Sequence, residues 1–180
     1  MSWFSVLKGA YPSLQQIDKT LPVASGTTGI VRGSLIYESN GTWLLATATQ
    51  VATVTAYIHF ALMAQTDLTA GMAGSVGAGA PNTIAYPAVA KVTGLAVGMP
   101  MEFETSEFVK TAVYTVGQLL AVANGGKLTA HNSGNNCIAQ VTKASRVRWV
   151  NDAIAVTGYR TGANVDVLTA RTLWIPKLVS

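Results

Sequence analysis

The strongest constraint on the fold is a passage written twice. GSLIYESNGTWLLA begins at Gly33, and GQLLAVANGGKLTA begins at Gly117, 84 positions later. Aligned without gaps, the copies share Gly33/Gly117, Leu35/Leu119, Asn40/Asn124, Gly41/Gly125, Leu44/Leu128 and Ala46/Ala130, and Ile36 stands against Leu120. Asn-Gly between apolar runs is the strongest short-range hairpin signal, because both residues tolerate the positive φ of a type I′ turn. The leading glycine reads as a turn or bulge that starts a strand. Each copy is expected to be strand, tight turn, strand, with turns at Asn40-Gly41 and Asn124-Gly125. Two such hairpins make a scaffold and carry no chemistry of their own.

Between the copies lies a stretch without charge. No Asp, Glu, Lys or Arg occurs between Glu38 and Asp67, which exceeds the ~20 residues of a membrane-spanning helix. Its fine pattern points elsewhere. Ala46, Ala48, Ala52, Val54, Ala56, Ile58, Phe60 and Leu62 alternate with Thr47, Thr49, Thr53, Thr55, Tyr57 and His59. Period-two alternation with many β-branched threonines describes strands with one apolar and one polar face. The reading is therefore no membrane span.

Apolar residues make up 49% of the 180-residue chain and charged residues 11%, against a typical charged share of about 25%. Soluble surfaces are more charged than that, so much of this surface is expected to be covered, by other copies or by a partner. The net charge of +4 comes from scattered residues, apart from Lys143, Arg146 and Arg148. Those three read as a solvated loop or strand edge, not a specific nucleic-acid site. Trp3 to Leu7 is too short for the core of a secretory signal, and the single Cys137 has no partner for an internal disulfide.

Residues 1–26 read as an N-terminal arm. It carries Trp3, Phe4, Val6 and Leu7 as candidate interface residues, and a short helix is expected from Ser13 to Lys19 between Pro12 and Pro22. The arm docks either on its own domain or on a neighbouring subunit, where Trp and Phe make good anchors. Residues 27–180 read as the β domain, in one piece or as two hairpin-based halves, 27–110 and 111–180. A Gly/Ala-rich loop covers 64–83. Short apolar runs broken by glycine, proline and asparagine continue to the end, with turns at HNSGNN and TGYRTGAN. The expected fold class is all-β, a small sandwich or barrel of short antiparallel strands with an extended arm.

The search for chemistry returns little. The Gly-rich loop lacks the Gly-Lys-Ser/Thr ending of a phosphate loop. His131 and Cys137 lack the second pair that a zinc site needs. No G-x-S-x-G nucleophile elbow occurs. Glu102 and Glu104 share one strand face, a pairing used in glycoside hydrolysis and calcium binding, and read here as a charged solvent face beside Lys110. Trp43, Trp149, Trp174 and Tyr159 could make a sugar-stacking platform, but large aromatics in β proteins are mostly core or interface. No catalytic residue, metal or cofactor is assigned.

The second copy and its continuation, VGQLLAVANGGKLTAHNSGNNCIAQVTKA, resembles the decoration (cement) proteins of tailed-phage heads. Gly117, Leu119, Leu120, Gly125, Gly126, Leu128, Ile138, Ala139 and Val141 carry the likeness. It covers about a sixth of the chain, or a third with Gly33 to Ala46. The mid-chain Gly/Ala loop has no counterpart in it. The resemblance implies a non-enzymatic virion protein on the capsid surface, bound to the major capsid protein. It also implies a homo-oligomer, trimer before dimer, with the terminal arm held against the capsid. The rival readings are another virion component (tail-tube, head-completion or minor capsid protein) and a carbohydrate-binding β-sandwich module.

Overall fold

The computed structural model describes residues 3–9, 17–48, 58–64, 91–97, 101–132, 137–154 and 160–173. Within them run β1 (Phe4–Gly9), β2 (Ile17–Pro22), β3 (Leu35–Ser39), β4 (Thr42–Leu45), β5 (Ile58–Ala64), β6 (Lys91–Ala96), β7 (Met101–Thr105), β8 (Leu119–Ala123), β9 (Lys127–Ala130), β10 (Ala139–Ile154) and β11 (Arg160–Thr172). They form two antiparallel sheets, in the orders β1-β7-β11-β10-β8-β9 and β2-β6-β5-β3-β4. Leu35, Phe60 and Leu95 of the smaller sheet meet Phe4, Phe103 and Leu168 of the larger in one apolar core. The chain is all-β, a small sandwich. No helix among the described residues is long and apolar enough to cross a membrane.

The repeat seen in two hairpins extends through the whole fold. Strands β2 to β6 and strands β7 to β11 have the same topology. In each, the first strand pairs with the fifth, the fifth with the fourth, the fourth with the second and the second with the third. Details recur too. Gly33 (φ 86°) donates its N–H to Ala61 O at 2.7 Å, and Gly117 (φ 89°) donates to Val141 O at 2.9 Å. Ser34 N–H reaches Val31 O, and Gln118 N–H reaches Thr115 O. In return, the side chains of Ser34 and Gln118 accept from the N–H groups of Val31 and Thr115. Each half curls closed by a parallel bridge, Val23 to Trp43 in one and Phe108 to Leu128 in the other. The second unit therefore begins at Met101, ahead of the boundary near 110 that the hairpins alone suggested. Strand β1 has no counterpart in the first half; it is added to the edge of β7.

The two turns differ by one residue. Ser39 pairs with Thr42 around Asn40-Gly41, both at positive φ (49° and 74°). Ala123 pairs with Lys127 around three residues, Asn124-Gly125-Gly126, the glycines at φ 79° and 68°. The inserted residue shifts the match that follows. Leu128 corresponds to Trp43, not Leu44, and Ala130 to Leu45, not Ala46, because the bridges and the pairs Glu38–Trp43 and Val122–Leu128 align that way.

Gly126 makes a backbone contact between the two halves. It accepts from Leu35 N–H (2.8 Å) and donates to Ala46 O (3.0 Å). A Cβ there would lie 2.6 Å from Leu35 O and 2.7 Å from Leu45 Cδ2, whereas a Cβ on Gly41 would meet nothing within 4 Å. The pair separates strain from packing. Gly41→Ala is expected to cost about 1–2 kcal/mol, the penalty of left-handed backbone alone. Gly126→Ala should cost on the order of 3 kcal/mol, because overpacking adds to the same strain. Urea unfolding of both variants measures this, and equal costs would refute the tight seat of Gly126.

Several expectations change. The segment read as an arm is built into the sheets: Phe4–Gly9 is β1, hydrogen-bonded along β7, and Ile17–Pro22 is β2, along β6. The helix expected at Ser13 to Lys19 is therefore replaced by strand from Ile17 onward, while Ser13 to Gln16 lie outside the described residues. Strand β5 buries both faces. Phe60 packs into the shared core, and His59 and Ala61 fill the first half's own interior beside Trp43 and Ile36. The strands are not all short, since β10 has 16 residues and β11 has 13. TGYRTGAN enters β11 at Arg160. Of the Gly/Ala-rich loop, all but Ala64 lies outside the described residues.

The halves diverge on one row of residues. Across the smaller sheet, Leu35, Phe60 and Leu95 lie side by side and are buried. Across the larger sheet, the matching row is Leu119, Gln140 and Arg171. There Arg171 donates to Gln140 Oε1, and Gln140 donates to Gly117 O.

Candidate functional site

Strands β10 and β11 outrun their neighbours. Strand β8 pairs with β10 only at Ala139 and Gln140, and β7 pairs with β11 only from Leu168 to Arg171. From Lys143 to Ile154 and from Arg160 to Val167 the two strands pair only with each other among the described residues. A two-stranded ribbon is marginal by itself in water. What holds this one explains its chemistry.

One face of the ribbon is riveted to the domain. Alternation puts Arg146 and Arg148 on the face of their partners Val167 and Val165. Glu104 of β7 faces the same way and is completely buried. Arg146 donates to Glu104 Oε1 (2.7 Å) and Arg148 to Oε2 (2.6 Å), while Trp3 Nε1 adds a third donor to Oε2 at 3.2 Å. Arg148 also stacks over the Trp3 ring, 4.9 Å from its centroid. The Trp3 indole in turn covers Val165 and Val167, and its backbone exchanges hydrogen bonds with Ser106. Glu102, on the same face as Glu104, accepts from Thr142 at 2.8 Å.

The opposite face carries Val147 beside Asp166 and Trp149 beside Asn164. Val147 is 62% exposed and Trp149 58%. Below them opens a cleft of about 380 Å³ lined by Phe108, Lys110, Ala112, Ser145, Arg146, Val147 and Asp166, spanned by the Lys110–Asp166 ion pair at 3.9 Å. An exposed valine and tryptophan on a projecting ribbon, above a mixed cleft, form a surface suited to contact.

The sequence-level candidates fall into place around this surface. Phe4 is core, with its ring 4.8 Å from Phe60 and 5.8 Å from Phe103. Trp3 belongs to the rivet, Val6 packs partly against the core, and only Leu7 is exposed. Arg146 and Arg148 lie on a strand edge rather than in a loop, and both bind Glu104. That carboxylate, in turn, is not on a solvent face, and Lys110 pairs with Asp166 instead. Trp43 is buried, with its indole N–H on Val92 O at 2.7 Å, so it offers nothing to a sugar. Trp174 and Tyr159 lie outside the described residues. His59 is buried against Trp43. Cys137 is half-buried, which pushes its thiol pKa up. No group of three or more His, Cys, Asp or Glu among the described residues is placed to hold a metal.

Val147 as part of a contact face was missed from the sequence. The signal was present: Arg146, Val147, Arg148 and Trp149 alternate charge with apolar bulk, the period of a strand. No family model, curated protein or solved structure matches this chain.

Proposed function

We propose that this is a structural contact protein that decorates a tailed-phage capsid, binding the major capsid protein through the ribbon face of Val147 and Trp149. The observation that carries this reading is that face, apolar and exposed, on a ribbon whose other side is fixed by Glu104. Exposed tryptophans on rigid elements are the usual anchors of protein interfaces. The low share of charged residues and the likeness of Gly117 to Val141 to decoration proteins support the same reading. Binding as a homo-oligomer would multiply a modest contact into stable occupancy.

The test uses heads purified without the protein. Wild type should co-sediment with them in many copies per particle, and copy number separates decoration from a tail or head-completion role. Trp149→Ala should weaken binding about thirtyfold, the ~2 kcal/mol of an aromatic hot spot, with an unchanged melting curve. Failure of the wild type to bind, or full binding by the variant, overturns the reading. The same exposed indole favours one rival, a carbohydrate-binding module, and glycan binding without head binding would establish that instead.

A further inference from the structure

The two hairpin turns carry the same reactive pair in different settings. Asn40-Gly41 and Asn124-Gly125 are the Asn-Gly sequences of the chain, and no other asparagine precedes a glycine. All four residues are exposed, and a Cβ on Gly41 or on Gly125 would meet nothing within 4 Å. The difference lies in what fastens each turn. In the second, Gly126 accepts from Leu35 N–H (2.8 Å) and donates to Ala46 O (3.0 Å), and Asn124 Oδ1 accepts from Ala48 N–H at 3.4 Å. These bonds tie the turn to the other half of the molecule. Among the described residues, the Asn40 side chain has no hydrogen-bond partner, and its turn is closed only from within, by the Ser39–Thr42 pair and by Thr42 Oγ1 donating to Ser39 O at 2.8 Å.

We propose that Asn40 is a site of spontaneous modification, deamidating through a cyclic imide to aspartate and isoaspartate, while the fastened Asn124 is protected. The Gly41 main-chain nitrogen loses its proton and attacks Asn40 Cγ. A C–N bond forms, the Cγ–Nδ2 bond breaks, and the amide nitrogen leaves as ammonia. Water then opens the five-membered ring. Opening at Cγ gives aspartate, and opening at the main-chain carbonyl gives isoaspartate. One water enters and one ammonia departs, with no change of oxidation state. Glycine favours the attack because it has no Cβ beside the nucleophile. The peptide unit between the two residues must rotate for the nitrogen to reach Cγ, so the turn must distort first. At Asn40, held in left-handed backbone at φ 49°, that distortion disturbs only the turn's own contacts. At Asn124 it pulls on Gly126 and on the bonds to Leu35 and Ala46. The consequences fall on the first unit. Either product places a carboxylate in the run between Glu38 and Asp67 that otherwise has no charge. Isoaspartate also routes the main chain through the side chain. It lengthens a two-residue connection immediately before Trp43, which fills the first half's interior.

The inference does not depend on the capsid reading. Its test is ageing of the purified full chain at mildly alkaline pH, where the attacking nitrogen gives up its proton more readily. Peptide mapping by mass spectrometry, with fragmentation that separates aspartate from isoaspartate, follows each site. In the folded protein, Asn40 should be lost at least about tenfold faster than Asn124, since loosening the second turn sacrifices two backbone hydrogen bonds. In guanidinium chloride, where neither turn exists, the two sites should react at similar rates. An intact Asn40 in the aged folded protein overturns the proposal, as do equal rates at the two sites or earlier loss of Asn124. A preference for Asn40 that persists undiminished in guanidinium overturns it too, because local sequence and not the fold would then set the difference.

Discussion

A chain lacking residues 1–20 is expected not to fold. Strand β1 carries Phe4 into the stack of Phe60 and Phe103, leaving it 2% exposed. Gly33 packs so closely on it that a Cβ there would lie 2.9 Å from Phe4 Cβ. Most of β2 leaves with the same segment, stripping the edge of β6. Phe4→Ala alone is expected to cost about 3–5 kcal/mol, as for other buried aromatics. That is a large part of the ~5–15 kcal/mol that holds a domain together. Thermal melting by circular dichroism checks both. A truncation that melts like the wild type would return these residues to the status of a detachable arm.

The second large effect is expected at the ribbon's rivet. Glu104 is a fully buried carboxylate paired with Arg146 and Arg148. Removing both arginines leaves the charge with the Trp3 indole. Stripping a buried ion of its partners costs about 3–5 kcal/mol. The arginines are themselves 50% and 38% exposed, so water softens the loss, and about 3 kcal/mol is expected for Arg146→Ala with Arg148→Ala. Either single variant leaves one arginine in place and should cost under half as much. A double-mutant cycle from urea unfolding measures the coupling. Additive single effects would show that the arginines do not share Glu104.

Local features were legible in the sequence, and pairings at a distance were not. Asn40-Gly41 announces its hairpin because a type I′ turn demands those residues. The alternation of Met101 to Glu104 correctly put both glutamates on one face. The identity of their partners was hidden, since Arg146 lies 42 residues from Glu104. A run such as Trp3 to Leu7 says only that it must be buried, not by whom, and β1 finds β7 across about a hundred residues. The inserted Gly126 was masked by coincidence: leucine and alanine occur at neighbouring positions, so an ungapped alignment still found matches.

The polar row across the larger sheet sets a limit on growth. Stacked repeat proteins stay soluble by ending in a unit whose outer face is wet. Here a leucine–phenylalanine–leucine row in the first unit becomes Leu119, Gln140 and Arg171 in the second, and the polar pair satisfies itself. A third unit arriving on that face would have to desolvate a guanidinium against apolar carbon. On that face the second unit is wet where the first is apolar, the pattern of the end unit of a stacked array.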